Sequence, residues 1–335
     1  MRTPIRLQAN MTAHILREKL KGNKRIPLVL MLEPLHACNL TCEGCGRIVE
    51  YAETITEQMS LDECLGSAKE CNAPVVSVCG GEPLIYRDID GLIDGLVDQG
   101  KYIYLCTNAM FLDRFLPRHK PTEQLSITVH LDGLKETHDR IVEREGVFDL
   151  AIENIKLAKK MGYHVTTNTT IFKQTDLTEI DRLFQYLTQL GVDGFLLSPA
   201  YSYESLGTDP FMFHTKEQIH DKFRPFIAHC QQRKFRLLSS PGYLEFLAGL
   251  RNYPCAPWGN VTRNPQGWKG PCYAITNDHY KSYQELLDST DWDYYAEQKD
   301  ARCRNCKMHS GFEASVVFNM TIQDVAQTIR WQLAG

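Results

Sequence analysis

Between residues 28 and 198, short apolar runs alternate with stretches in which apolar residues recur at helical spacing. The helical stretches predict four helices, at residues 60–71, 89–98, 148–161 and 177–190. The apolar runs predict six strands, at residues 28–35, 74–78, 102–106, 125–131, 164–171 and 194–198. Because strands that alternate with helices form a parallel sheet, we expect an α/β fold. Six βα units make a partial barrel, with its active groups at the carboxyl ends of the strands.

The pattern changes after residue 200. Residues 215–233 predict a further helix that closes the barrel, and from about residue 253 the chain is rich in Pro, Gly, Trp and Cys and poor in periodicity. We interpret this tail as a small appendage organised by metal. The expected parts are a basic N-terminal helix over residues 1–25, a barrel over residues 26–235 and a Cys-containing C-terminal appendage over residues 236–335.

The composition is that of an ordinary globular protein, with 43% hydrophobic and 23% charged residues in a chain of 335. A net charge of −4 gives no indication of nucleic-acid binding, and no apolar stretch is long enough to cross a bilayer. Twelve cysteines without an export signal predict a location in the reducing cytoplasm, where thiols bind metals or carry out chemistry.

The first 25 residues depart from this balance of charge. Seven basic side chains are opposed there by one acidic residue, Glu18, and apolar residues recur with partial helical spacing. The pattern favours a leading helix that packs on the barrel. The alternative is a basic amphipathic helix that makes peripheral contact with an anionic membrane at its inner surface, which would suit a lipid substrate.

Three cysteines follow the first predicted strand in the spacing C-x3-C-x2-C, at Cys38, Cys42 and Cys45. A 4Fe–4S cluster is normally held by one Cys per iron, so three ligands leave one iron open to a chelating molecule such as S-adenosylmethionine. A zinc site or buried free thiols are the alternatives. Zinc sites usually combine C-x2-C pairs into four ligands, and the spacing therefore favours the cluster.

The second predicted strand leads into Gly80, Gly81, Glu82 and Pro83. The two glycines allow the backbone to approach a ligand closely, and the Glu82 carboxylate and nearby carbonyls can accept hydrogen bonds from an ammonium group. Alone, this run is weak evidence, because it could be a plain turn. Its position after a strand, downstream of the three cysteines, favours a binding site.

Polar residues also mark the ends of the later strands: Asn108, Ser126, Thr128, His130, Asn168 and, more weakly, Ser198. Because alternate residues of a strand face the same side, Ser126, Thr128, His130 and Asp132 predict a polar barrel interior that binds ribose hydroxyls. A packing role is the alternative for His130. Cys106 ends the third strand and faces the same region, where the alternative is a small buried filler.

Together, the cysteine spacing and the Gly-Gly-Glu-Pro run resemble the motifs of the radical S-adenosylmethionine (radical SAM) superfamily. The resemblance implies a partial (βα)6 TIM-like barrel, a 4Fe–4S cluster on Cys38, Cys42 and Cys45, and S-adenosylmethionine with its amino group held by residues 80–83. Many members carry an aromatic residue before the third cysteine, near the adenine. This chain has Gly44 there, so we expect other residues to hold the adenine and the nucleoside to have unusual room.

The tail carries four more cysteines and a nearby histidine, at Cys255, Cys272, Cys303, Cys306 and His309. The spacing of the first two resembles half of a SPASM-type or twitch-type auxiliary domain, and four thiolates suffice for a second 4Fe–4S cluster. The alternatives are a structural zinc, with His309 in place of one cysteine, or no metal.

Several runs resemble the adenosylhopane synthase (adenosyl-hopene transferase) family of hopanoid biosynthesis, at residues 27–35, 104–108, 129–133, 255–260 and 309–313. The resemblance implies a transferase that adds the 5′-deoxyadenosyl radical to the alkene of hopene (diploptene) and so forms a carbon–carbon bond. An external one-electron donor such as flavodoxin or ferredoxin would reduce the cluster. Cys106 is the candidate donor of a hydrogen atom to the product radical.

Such a substrate requires a large apolar cavity. The candidate lining residues are Tyr201, Tyr203, Phe211, Phe213, Phe246 and Trp258, for which ordinary packing is the alternative. Two other functions fit the motifs. One is hydrogen abstraction from another small molecule or a peptide by the same superfamily chemistry, and the other is a non-catalytic zinc-binding scaffold.

Overall fold

The computed structural model describes residues 5–201, 209 and 211–333. Within these residues, one sheet has the strand order β6-β5-β4-β3-β2-β1-β7-β8-β9. Its strands are β1 (Val29–Leu32), β2 (Val75–Val78), β3 (Tyr102–Thr107), β4 (Leu125–His130), β5 (His164–Ile171), β6 (Gly194–Pro199), β7 (Asn260–Asn264), β8 (Gly267–Cys272) and β9 (Ile275–Tyr280).

The helices of the described residues pack around this sheet and beyond its ends. They are α1 (Ile5–Leu20), α2 (Gly46–Glu50), α3 (Leu61–Cys71), α4 (Ile89–Asp98), α5 (Leu112–Phe115), α6 (Lys135–Ile141), α7 (Val147–Lys160), α8 (Leu177–Gln189), α9 (Lys216–Gln232), α10 (Pro241–Leu247), α11 (Tyr283–Ser289), α12 (Trp292–Ala296), α13 (His309–Phe318) and α14 (Ile322–Leu333). None of the described helices is both long and apolar enough to cross a membrane.

The parallel α/β barrel expected from the sequence is confirmed. Strands β1 to β6 pair in parallel, each with the next in chain order. Each predicted strand and helix is present, and helix α9 follows the barrel where a closing helix was expected. The local pattern was sufficient because buried parallel strands read as short apolar runs and the covering helices as amphipathic ones.

The tail adds three strands to the same sheet, which the sequence pattern did not predict. Strand β7 pairs in parallel with β1 on the side opposite β2, and β8 and β9 continue the sheet as antiparallel neighbours. Trp268 on β8 is fully buried, its indole nitrogen donates to Glu70 on α3 over 3.1 Å, and its ring packs against Tyr283. The tail therefore shares its core with the barrel.

Helix α1 lies against the amino ends of the barrel strands. Leu7 packs with Val75 and Tyr102, and Met11 joins the same contact. On the other side of the helix, Leu16 and Leu20 are 58% and 89% exposed. The helix thus covers the end of the barrel opposite to the carboxyl ends of the strands.

The shared core makes a prediction about stability. Replacing Trp268 with Ala should lower the free energy of unfolding of the whole chain by about 3–5 kcal/mol, because a large buried side chain leaves a cavity. Urea unfolding followed by far-ultraviolet circular dichroism measures this loss. The control is Ile322→Ala, since Ile322 is 91% exposed and should change stability by about 0.5 kcal/mol or less. An unchanged barrel transition in Trp268→Ala would show that the tail folds separately.

Candidate active site

The three motif cysteines lie in the loop between β1 and α2, at the carboxyl edge of the sheet. The loop turns on itself where the Cys45 amide donates to the Cys42 carbonyl over 3.1 Å, and it is tied to α6 where the Glu43 amide donates to the Ile141 carbonyl over 2.7 Å. Burial and the neighbouring cysteines raise the pKa of Cys42, and burial raises that of Cys38 to about 11. Three sulfur atoms therefore converge on one half-buried loop.

The two glycines after β2 are required by the protein's own backbone. The Gly81 amide donates to Leu35, and the Glu82 amide donates to Ala37, over 3.1 and 3.0 Å. A Cβ at Gly81 would overlap the Ala37 carbonyl, and Gly80 has a φ of +108°, which other residues rarely adopt. In the structure these glycines let the strand end dock on the cysteine loop, and their predicted close approach to a ligand stays a prediction.

Glu82 joins the ends of β2 and β3. Its side chain is buried, and its carboxylate accepts hydrogen bonds from the Thr107 hydroxyl, the Asn108 amide and the Leu84 amide over 2.7, 2.8 and 3.0 Å. Burial raises the pKa of Glu82. A carboxylate has about four acceptor positions, so one remains for an ammonium group, alongside the backbone carbonyls of residues 80–83.

Asn108 contacts the cysteine loop from the end of β3. Its side-chain nitrogen donates to the side-chain oxygen of Asn39 over 2.8 Å, and its own side-chain oxygen accepts from the Met110 backbone amide over 3.1 Å. Asn39 directly follows Cys38. The structure thus gives Asn108 a positioning contact to the loop in addition to its predicted role in binding the cofactor.

The side chains inside the barrel form layers, because residues in register on parallel strands share a face. The lowest layer holds Ser77, Tyr104, Ser126 and His164, the next holds Cys106, Thr128 and Thr166, and the one nearest the carboxyl edge holds His130 and Asn168. Cys106 is half-buried, with its sulfur 3.4 Å from the Ser77 hydroxyl. The thiol therefore faces the barrel interior one layer below the edge.

Most hydroxyls of this interior are paired with one another. Ser126 pairs with the Nδ1 atom of His164 over 2.9 Å, Thr128 with Thr166 over 3.0 Å, and the Ser198 hydroxyl donates to Asn168 over 3.1 Å. The predicted face is present, with Ser126, Thr128, His130 and Asn168 brought together. Its polar groups are nevertheless engaged mainly with the protein.

His130 forms an ion pair with Asp132 at the end of β4. Its Nε2 atom is 2.7 Å from the buried Asp132 carboxylate, which also accepts from the Thr170 amide over 2.7 Å. Burial acts against the charged ring, but Asp132 raises the pKa of His130 above its usual value. By contrast, burial together with the nearby His130 lowers the pKa of His138 to about 4. A positive charge at His130 is therefore favoured beside the candidate cofactor site.

The four tail cysteines line one cavity of about 220 Å³. They are Cys255, Cys272, Cys303 and Cys306, and the Tyr201, Tyr273 and Asn260 side chains line the same space. Burial raises the pKa of Cys303 and Cys306 to about 12. His309, the alternative zinc ligand, lies with its ring against Tyr243. The structure thus brings the four sulfurs together and leaves His309 in a packing position.

The space beside Gly44 is filled, contrary to our expectation. A side chain at this position, where φ is +70°, would overlap the Met212 methyl group and lie 3.5 Å from the Phe172 ring. Met212 and Phe172 are buried with Ile141 and Ala200 in a small cluster. The absence of an aromatic residue before the third cysteine therefore leaves no extra room, because Met212 occupies it.

The aromatic residues proposed to line one apolar cavity do not gather at one place. Phe213 packs against Phe223, Phe246 against Phe312, and Trp258 near Trp292 and Phe318. Tyr201 lines the tail cavity, Phe211 is exposed, and Tyr203 lies outside the described residues. For Phe213, Phe246 and Trp258, the structure thus shows ordinary packing.

Sequence reasoning missed a buried charged network between the two groups of cysteines. Arg47, two residues after Cys45, forms an ion pair with buried Glu33, and its guanidinium donates to the Tyr273 hydroxyl over 3.0 Å. Lys269 pairs with Glu50 over 2.7 Å. The only signal in the sequence was the position of Arg47 and Tyr273 beside motif cysteines, which says nothing about their contact.

The donor set fits the cofactors that the motifs imply. Cys38, Cys42 and Cys45 offer three sulfur ligands from one loop, and the same segment offers no fourth. Beside them, the backbone carbonyls of residues 80–83 and one free acceptor position of the Glu82 carboxylate can bind an ammonium group. In the described residues, no three His, Cys, Asp or Glu side chains are arranged to hold a single metal ion. The sulfurs that hold a 4Fe–4S cluster bind different irons, so they need not meet at one ion.

Comparison with known proteins agrees with this site. Residues 32–187 match the model of the Radical SAM superfamily, and residues 195–330 match a domain of unknown function, DUF3463. Residues 32–187 belong to the radical SAM superfamily. The cofactors of this superfamily, a 4Fe–4S cluster and S-adenosylmethionine, are accordingly those of this chain.

Curated relatives are similar to this chain in sequence, and a solved structure is similar to it in fold. The chain is 28% identical to the Fe-coproporphyrin III synthase of Methanosarcina barkeri over 158 residues, which cover 45% of this chain and 39% of that protein. It is 25% identical to the GTP 3′,8-cyclase of Clostridium botulinum over 250 residues, 70% of this chain and 77% of the relative. The structure of anSMEcpe with bound AdoMet (S-adenosylmethionine) has a TM-score of 0.61 at 16% identity and covers 91% and 92% of the two chains.

The docking of Gly81 on the cysteine loop makes a prediction. Gly81→Ala should displace the loop, because its Cβ would overlap the Ala37 carbonyl, and the protein should lose the iron and the S-adenosylmethionine binding of this loop. After anaerobic reconstitution, elemental analysis measures the iron content and an equilibrium titration measures the binding of S-adenosylmethionine. Gly66→Ala is the control, since no atom lies within 4 Å of the added Cβ in α3. Full S-adenosylmethionine binding by Gly81→Ala would contradict the assigned role.

Proposed function

We propose that this radical SAM enzyme is a transferase that joins the adenosyl group to the alkene of hopene (diploptene). The observation that carries the proposal is the position of Cys106. Its thiol faces the barrel interior one layer below His130 and Asn168, and burial raises its pKa, so the sulfur keeps the hydrogen that a product radical needs. The family-like runs of the sequence supply the choice of hydrocarbon.

The proposal assigns the cofactors to residues of the candidate site. Cys38, Cys42 and Cys45 hold the cluster, and residues 80–83 accept the amino group of S-adenosylmethionine. When an external donor such as flavodoxin or ferredoxin supplies one electron, these cofactors provide a 5′-deoxyadenosyl radical. His130 and Asn168, in the layer at the carboxyl edge, are the side chains placed to contact the ribose.

The chain's own contribution to the reaction is the second step. The alkene forms a new bond to the adenosyl carbon, its π bond breaks, and the unpaired electron moves to the neighbouring tertiary carbon. The Cys106 S–H bond then breaks, and its hydrogen atom goes to that carbon. The product is closed-shell, and the unpaired electron is left on the Cys106 sulfur.

The interior is polar, yet it is compatible with a hydrocarbon. Burying a hydroxyl without a partner costs about 1–3 kcal/mol, but Thr128 pairs with Thr166 and Ser126 with His164. These groups keep their hydrogen bonds when water leaves. Displacing water by an apolar substrate therefore leaves few unpaired groups on this face.

A second candidate function is hydrogen abstraction from a small polar molecule or a peptide. One observation favours this function. The aromatic residues proposed to line an apolar cavity pack elsewhere, so the described part of the barrel interior is lined by more polar than apolar side chains. A polar substrate would exchange the Thr128–Thr166 and Ser198–Asn168 pairs for its own hydrogen bonds. The Cys106 thiol would then have no product radical to reduce.

We also propose that the tail cysteines hold a second 4Fe–4S cluster. Four sulfurs on one cavity are the number that such a cluster needs, and Arg47 with Tyr273 joins this cavity to the first loop. A structural zinc is the alternative from the sequence, but in the described residues no three of these side chains are arranged to hold one ion.

The exposed side of α1 supports peripheral contact with an anionic membrane as part of this proposal. Leu16 and Leu20 lie there beside Arg17 and Lys19, and an apolar ridge flanked by cations is the pattern of interfacial helices. Such contact would bring the barrel close to a lipid substrate.

Replacing Cys106 with Ala tests the hydrogen donor. The reconstituted variant, given reductant, S-adenosylmethionine and diploptene without oxygen, should still consume S-adenosylmethionine but should lose the reduced adduct, because no S–H faces the product radical. Mass spectrometry of the products measures this. Cys230→Ala is the control, since Cys230 is buried on α9. Unchanged adduct in Cys106→Ala would remove the thiol from the mechanism, and free 5′-deoxyadenosine without adduct in the wild type would favour the second function.

Metal content tests the tail site. The wild type should bind about eight irons per chain, two clusters of four. Cys42→Ala and Cys272→Ala should each retain about half, and only Cys42→Ala should lose cleavage of S-adenosylmethionine, because only its cluster contacts that molecule. Iron and zinc are measured by elemental analysis and the clusters by electron paramagnetic resonance. About four irons in both the wild type and Cys272→Ala would contradict a second cluster.

A further inference from the structure

A second cysteine, Cys79, lies beside Cys106 inside the barrel and has no role in the functions above. Strands β2 and β3 pair in parallel up to Val78 and Leu105, and Cys79 and Cys106 are the next residues along these two strands. The Cys79 amide donates to the Leu32 carbonyl over 2.9 Å, so the sheet continues through this position. The two cysteines are therefore neighbours across β2 and β3.

The side chains of both cysteines face the barrel interior. Along β2, the fully buried Val76 and Val78 alternate with the partly buried Ser77. Cys79 is partly buried and continues this alternation, so it shares the interior face with Ser77. The Ser77 hydroxyl lies 3.4 Å from the Cys106 sulfur, which places Cys106 on the same face. Cys79 and Cys106 thus occupy one layer of the interior, above that of Ser77.

The spacing of the two strands is suitable for a disulfide. Neighbouring strands lie about 4.8 Å apart, and disulfides join cysteines whose Cα atoms are about 4.4–6.8 Å apart. Both cysteines are free thiols in the structure, and burial raises the pKa of each. The backbone therefore holds two protonated thiols side by side, and rotation of their side chains brings the sulfurs together.

A hydrogen-atom donor must be restored before it can act again. After Cys106 has given its hydrogen atom to the substrate, its sulfur carries an unpaired electron. A neighbouring thiol can react with such a sulfur: an S–S bond forms, the thiol loses its proton, and one extra electron is left in an antibonding orbital of that bond. This electron is readily given away, and an ordinary disulfide remains.

We propose that Cys79 is the second thiol of the reaction and forms a disulfide with Cys106 in each turnover. The inference rests on the proposed function, since it requires Cys106 to give up a hydrogen atom. The Cys106 sulfur bonds to the Cys79 sulfur, the proton of Cys79 goes to solvent, and the extra electron returns to the oxidised external flavin or iron–sulfur carrier. An external dithiol then supplies two electrons and two protons by thiol–disulfide exchange and restores both thiols.

The pair changes the electron balance of the reaction. Cleavage of S-adenosylmethionine takes one electron from the carrier, and formation of the disulfide returns one. The two thiols are then the net reductant, and the carrier acts catalytically. Without Cys79, the Cys106 radical can only be reduced by a further electron, and the carrier is consumed. The oxidation of the carrier therefore distinguishes a reacting thiol from a small side chain that only packs.

The first test follows the disulfide in one turnover. The reconstituted enzyme, given reduced flavodoxin, S-adenosylmethionine and diploptene without a dithiol, should contain a disulfide between Cys79 and Cys106 in an amount equal to the adduct. After free thiols are blocked with N-ethylmaleimide, trypsin leaves these cysteines in peptides 70–87 and 102–114, and mass spectrometry detects the linked pair. Because Cys71 shares the first peptide, the measurement uses a Cys71→Ala background. Adduct without the linked pair would overturn the proposal.

The second test measures the oxidation of flavodoxin by its absorbance in the same turnover. The wild type should form adduct with no net oxidation of flavodoxin, whereas Cys79→Ala should oxidise it in proportion to S-adenosylmethionine cleaved. Cys230→Ala is the matched control, because Cys230 is buried on α9, and it should behave as the wild type does. If Cys79→Ala does not fold, Cys79→Ser serves as the second variant. Equal oxidation of flavodoxin by the wild type and the Cys79 variant would contradict the proposal.

A further measurement needs no substrate. Diamide, a thiol oxidant, should join Cys79 to Cys106 in the reconstituted enzyme. Failure to form this link would overturn the inference even if hopene is not the substrate. Adduct that is lost in Cys106→Ala, formed by a wild type without the disulfide, would leave the proposed function in place and remove only this inference.

Discussion

The buried ion pair between Arg47 and Glu33 is the interaction on which the arrangement of both cysteine groups depends. A buried charge without a partner costs several kcal/mol, and Glu33 is fully buried just after β1. Burial acts against its charged form, yet the Arg47 guanidinium holds the pKa of Glu33 below its usual value. Tyr273, which holds the other side of Arg47, reaches it only because β7 to β9 extend the sheet from β1. The first cysteine loop therefore depends on the tail for its shape.

The second buried cation strengthens this dependence. Lys269 on β8 is almost fully buried and lies near the faces of the Tyr51 and Tyr273 rings, with Glu50 of α2 as its partner. Loss of one member of such a pair leaves a buried charge without a partner. The resulting loss of stability is far larger than the net stabilisation that the intact pair provides. Helix α2, which begins directly after Cys45, is thus fixed from the tail at both of its ends.

The sequence predicted the barrel well and the tail poorly, for one physical reason. Strands β1 to β6 turn a row of buried apolar residues towards the covering helices, so the local pattern reports them. Strand β7 is Asn-Val-Thr-Arg-Asn and β8 contains glycine and proline; both are strands because β1 offers them an edge to pair with, which is a tertiary effect. The same limit applied to the site. Alternation along β4 located His130, but the contacts of Arg47 with Glu33 and of Gly44 with Met212 join distant segments that no local pattern connects.

Burial has opposite consequences for two kinds of cysteine in this protein. It raises the pKa of Cys42 and of Cys106 alike, because a buried thiolate loses the solvation that water gives. At Cys42, a bound metal would take the place of the thiol proton, since the thiolate is the ligand, and its positive charge would stabilise the thiolate that burial has deprived of hydration. At Cys106, which faces Ser77 in the interior, burial raises the pKa of the thiol by more than the positive charge of Arg47 lowers it, and the S–H bond persists. A thiolate has no hydrogen atom to give, so the depth of Cys106 in the barrel is what makes it suitable for the proposed step.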